Sequence, residues 1–136
     1  MDERINLKNI LPVLEREMSS LKSQLETMPK IKRAGYSISS GAWINKNGVG
    51  IGYLSCLRHP NDDSIDLTID LVSKERTLKS SGGIYWSNGR LVKHIADVEL
   101  VGNDINKLLP LLELFIEKVG QEALEPLVDF LLEQKD

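Results

Sequence analysis

Cysteine and histidine are almost missing from this sequence: Cys56 is the one cysteine, and His59 and His94 are the two histidines. A single cysteine cannot close an internal disulfide, and no apolar leader stands at the N-terminus, which together point to a reducing, cytoplasmic compartment. Neither histidine has the i, i+4 partner or the C-x-x-C company that a metal site needs. No basic surplus exists either. Lys and Arg number 17 against 20 Asp and Glu, a net charge of −3, whereas binding a phosphate backbone usually needs a basic surface, so nucleic acid is excluded as the main partner. No run approaches the roughly 20 apolar residues that span a bilayer, which excludes a membrane helix. Repeats, low-complexity stretches and linkers are also lacking.

What is present reads as one soluble domain of 136 residues, with 41% hydrophobic and 27% charged side chains. Its N-terminal third begins with a helix. Leu7, Leu11, Leu14, Met18, Leu21, Leu25 and Met28 recur at spacings of three and four, one apolar stripe with polar residues between. Asn6 or Asn9 is the expected cap, the later start placing Pro12 in the first turn, and Pro29 ends the helix. A coiled-coil dimer is the alternative use of such a stripe; a core-facing helix is the expectation.

From residue 34 to 101 the period changes to two. In "SIDLTIDL" Ile65, Leu67, Ile69 and Leu71 alternate with Asp66, Thr68 and Asp70, a strand with one buried and one wet face. Asn47-Gly48 and Asn88-Gly89 predict two hairpins, 35–46 with 49–58 and 81–87 with 90–100. "HPNDD" and "SKERT" supply the other turns of an antiparallel four- to five-stranded meander. Glycines 48, 50 and 52 imitate a dinucleotide fingerprint, but that motif needs a helix after its turn and a strand follows here. Gly48 belongs to the turn, while Gly50 and Gly52 bare part of one face to a helix, an aromatic or a partner, with Trp43 the candidate to lie over them. After Asn103 the pattern is helical again: one helix ending at Gly120, apolar on most sides and lying against the sheet, then a last helix bent at Pro126. The expected fold is α+β, with helices from both ends of the chain on one face of the sheet.

Catalytic residues do not assemble. Cys56 with a histidine is the minimal nucleophile pair, yet a strand-central cysteine reads as a small core residue. "NDDSIDLTID" lacks the glycine and the closing glutamate of a calcium loop. No cofactor or metal is expected. Residues 97–136 hold ten acidic and three basic side chains against one and five in 74–93, so charge is segregated. Asp62, Asp63, Asp66 and Asp70 are a solvated acidic face or a surface that steers a cationic partner, for which Tyr85 and Trp86 are the candidate aromatic anchors.

"GAWINKNGVGIGYLS", "DDSIDLTIDLVSKE" and "GGIYWSNGRLVKHI", set between a leading helix and closing helices in a small acidic domain, resemble the bacterial immunity proteins of contact-dependent inhibition and polymorphic toxin systems. That resemblance implies an intracellular, non-catalytic protein that binds one cognate protein toxin, often a basic nuclease, and blocks its active site; the chain is expected to be a monomer or a homodimer. A secretion chaperone or adaptor, normally dimeric, is the alternative on the same layout. A small-ligand-binding protein or an enzyme of unrecognised type is the second.

Overall fold

The computed structural model describes residues 9–58 and 63–134. Helix α1 (Leu11–Glu26) and the short α2 (Pro29–Ala34) lead into strands β1 (Tyr36–Ile44), β2 (Val49–Arg58), β3 (Ser64–Lys74), β4 (Thr77–Trp86) and β5 (Leu91–Val101), and α3 (Ile105–Glu133) closes the chain. The five strands form one antiparallel sheet in sequence order, β1 and β5 at its edges. The fold is α+β, as the two periodicities predict.

Local chemistry explains the connections. Gly48 and Gly89 sit at φ +80° and +90°, backbone that the hairpin turns require and that side chains with a Cβ resist. Asn45 Oδ1 accepts the Asn47 and Val49 N–H groups at 2.9 and 3.1 Å, and Asn88 Oδ1 accepts the Arg90 N–H at 2.9 Å, so each asparagine side chain bonds the turn's own backbone. Between β3 and β4, Glu75 takes a φ of +45°. The turn expected in "HPNDD" falls largely on residues 59–62, outside the described residues.

Both long helices pack on one face of the sheet, and α2 packs against them. Helix α1 lies over β1 and β2, and α3 over β3, β4 and β5. The inner row of β3, Ile65, Leu67, Ile69 and Leu71, is at most 2% exposed, as its alternation foretells. It meets Leu14, Met18, Leu21 and Leu25 of α1 and Leu112, Ile116, Val119, Ala123, Leu127 and Leu131 of α3 in one core. Cys56 is wholly buried among them. Tyr36 donates to the Leu131 carbonyl at 2.7 Å and Arg58 to that of Gln134 at 2.8 Å, tying the end of α3 to the opposite side of the sheet.

Four expectations need correcting. Asn9 does not cap α1: its N-cap is Ile10, with no side-chain cap bond, while Pro12 does lie in the first turn; Asn6 and Leu7 lie outside the described residues. The chain also makes α2 after Pro29, a turn and a half that the stripe did not announce. Gly120 does not terminate a helix. Instead α3 runs unbroken through Pro110, Gly120 and Pro126, and the carboxylate of Glu17 on α1 lies where a Gly120 side chain would be. Glycine is needed there for close approach between helices, and the buried row of α3 on the sheet holds the helix through both prolines. Finally, Trp43 does not cover Gly50 and Gly52. It pairs with Ile51 on the other face, while Leu14 and Met18 of α1 lie 3.1 and 3.3 Å from where a Gly52 Cβ would stand, and Ile44 fills the space at Gly50.

Candidate functional site

The register decides what each face displays. Tyr53 pairs with Thr68, Ser55 with Asp66 and Ile51 with Asp70; Asp66 then pairs with Tyr85 and Asp70 with Ser81, and Ser81 with Asp97. These side chains all leave the sheet on the face away from the helices, since alternate residues share a face. One row thus crosses all five strands as Trp43, Ile51, Asp70, Ser81 and Asp97. Of the eight exposed large hydrophobic residues among those described, five stand on this outer face: Trp43, Tyr53, Leu57, Leu91 and Val101. That is where the structure concentrates apolar surface in water.

Its aromatics are held flat. The Tyr53 hydroxyl lies 2.6 Å from the position a Gly41 Cβ would take, and the Tyr85 ring 2.9 Å from that of Gly83. Each ring therefore lies over a bare glycine, which shields that backbone and fixes the ring. Between them runs the acidic column of β3. Burial raises the Asp70 carboxyl above its ordinary pKa. Asp66 Oδ1 is buried with no hydrogen-bond partner, an acceptor without a donor. Among the described residues no ion pair engages either aspartate; the nearby pair is His94 with Asp97 at 3.2 Å. Asp70, Val72, Lys79, Ser81, Asp97 and Glu99 line a shallow groove of about 460 Å³ over β3 to β5.

The residues read from sequence are divided by this geometry. Asp66, Asp70 and Tyr85 come together on the outer face, and exposed Asp63 just precedes β3. Asp62 and His59 lie outside the described residues. Trp86 pairs with Ile65 and so stands on the helix side, its ring edge-on to Phe130 of α3 with centroids 5.6 Å apart and the Arg90 guanidinium 5.7 Å over it. Sequence reasoning missed Trp43, Ile51 and Tyr53 as members of the outer face. The signal was in "VGIGYLSC": once Gly50 and Gly52 are given the same parity as Leu54 and Cys56, Ile51 and Tyr53 must face out.

Cys56 cannot act as a thiolate at neutral pH, for burial, and secondarily the Asp66 charge, push its thiol up to about 12. It is on the helix side of β2, and His94 is exposed on β5, so the two do not meet. No helix among the described residues is long and apolar enough to cross a membrane, and no group of three His, Cys, Asp or Glu among them is placed to hold a metal ion.

The fold and this face define an α+β domain whose sheet is covered on one side only. Comparison with known proteins finds no matching family, no matching curated relative and no matching solved structure.

Proposed function

We propose that this chain is a non-catalytic binding protein that engages a basic protein partner through the open face of its sheet. The observation that carries this reading is the arrangement of Asp66 and Asp70, in no ion pair among the described residues and flanked by Tyr53, Tyr85 and Ile51, on a face both long helices leave uncovered. Charge there steers a cationic surface and the flat rings supply area at little cost in side-chain freedom. The orphaned Asp66 Oδ1 gains a donor when a lysine, arginine or hydroxyl arrives. With a partner of this kind, the resemblance noted above names the role: an immunity protein that holds a toxin, such as a basic nuclease, inactive.

The test starts by capturing the partner from the native host, then titrating the purified pair at two salt concentrations. The double variant Asp66→Lys/Asp70→Lys keeps its fold, associates at least about tenfold more slowly and loses most of its salt dependence. Trp43→Ala and Tyr53→Ala instead speed dissociation. Unchanged association and affinity in the double-lysine variant would remove this face from the interface and sink the proposal.

A further inference from the structure

The two edges of the sheet are built differently. On β5 the register with β4 slips between Gly82 and Gly83 and again between Ile84 and Tyr85, and the strand carries Lys93, His94, Asp97 and Glu99. Bulges and charges are the ordinary means of keeping an edge from pairing. On β1 neither is found. Its nine residues, "YSISSGAWI", contain no charge and no proline, and its register with β2 is unbroken from Tyr36 to Ile44.

The backbone of β1 faces outward in a defined pattern. The Asn45 N–H donates to the Val49 carbonyl at 2.8 Å, which makes that a hydrogen-bonded pair of the hairpin. Alternation then gives Trp43, Gly41 and Ser39 to β2 and turns the N–H and C=O groups of Ile38, Ser40, Ala42 and Ile44 toward the open edge.

We infer that β1 pairs with β1 of a second copy of this chain, antiparallel about a two-fold axis at Ser40, joining the two five-stranded sheets into one. Ser40 is the middle residue of the strand, so centring there pairs its whole length, and the outward-facing groups of Ile38, Ser40 and Ala42 meet those of Ala42, Ser40 and Ile38 of the second copy. Through the middle of the seam the sizes are complementary: on the outer face Trp43 meets Ser37 and Ser39 meets Gly41, and on the helix face Ile38 meets Ala42 and Ser40 meets Ser40, while Tyr36 meets Ile44 at the two ends. Trp43, 48% exposed in the single chain, gains cover over a small residue. Because a two-fold axis sets a strand against itself, a charged strand risks like-charge contacts and the uncharged β1 has none. The seam runs along the edge and leaves Asp66, Asp70, Tyr53 and Tyr85 open, sharing only Trp43 with the proposed partner face, so loss of the dimer and loss of partner binding through Asp66 and Asp70 are separately readable.

Sedimentation equilibrium of the full chain over a concentration series tests it, with a mass twice 15.3 kDa expected. Ser40→Pro deletes an N–H that the sheet of one chain does not use and loses the dimer. Should the ring strain the strand, Ser39→Lys, on the solvent side of the seam, shifts the mass toward monomer, and at concentrations dilute enough for wild type to be monomeric the two share one urea midpoint. Ser40→Cys cross-links on oxidation, since hydrogen-bonded antiparallel partners stand about 5.5 Å apart at Cα, within disulfide reach. Ser37→Cys, which faces Trp43, does not, and buried Cys56 does not compete. Asp66→Lys/Asp70→Lys leaves the mass unchanged. A monomer at every concentration overturns the inference and leaves the edge to a strand of another protein. So does a dimer that survives both Ser40→Pro and Ser39→Lys and is not captured by Ser40→Cys.

Discussion

Ile69 and Asp70 are adjacent in β3, yet the first is wholly buried under the helices and the second stands half-buried on the open face. The same contrast holds along the strand, and it separates two kinds of constraint. On the helix side every atom has a neighbour, so shape decides what is tolerated. On the open side the residues contact one another across strands, and what they do for stability is small beside what they present to water.

Three tests sharpen that contrast, in descending order of effect. Ile69→Ala removes a fully buried side chain and costs about 2–5 kcal/mol in urea titration, while Thr68→Ala, one residue away on the open face, stays within about 0.5 kcal/mol. Equal losses at both positions would break the distinction. Next, Gly82→Ala drives a methyl group to within 2.5 Å of Val119 on α3 and costs about 1–3 kcal/mol, as overpacking does. The last effect is electrostatic and has a defined sign. Burial raises the folded-state pKa of Asp70 above its ordinary value, so the protonated form favours folding and the charged form opposes it. Asp70→Asn therefore stabilises the domain at neutral pH, and the gain fades as pH falls through the raised pKa toward the ordinary one. A gain that grew on acidification would show that the carboxylate is stabilised in the folded state.

The open face was partly legible in the sequence. Asp66 and Asp70 followed from alternation alone, and the two Asn-Gly turns located two hairpins because only a narrow set of residues accepts their backbone. Tyr85 and Trp86 could not both belong to that face, since neighbours in a strand point opposite ways; which of them did was set by the pairing of Trp86 with Ile65, a register no local pattern encodes. Gly120 misled for a related reason. As a helix-ending glycine it satisfies a local rule, but its role is to admit Glu17 of a helix about a hundred residues earlier. Glu17 itself bears the mark of that contact: burial, with Glu117 adding to it and Arg16 opposing, raises its carboxyl.

The strict sequence order of the strands also bears on how the domain is made. Every strand pairs with one already next to it in the chain, so the meander grows by short loop closures, the kind of local search that folds quickly. Its cover does not come so early. Because α3 follows β5, a ribosome releases β3, β4 and β5 before the helix that shields Leu67, Ile69 and Ile84, and during that interval a finished sheet shows its apolar side to other nascent chains. Slow translation just after Val101 lengthens this exposure, and an added chaperone that binds extended apolar segments shortens it.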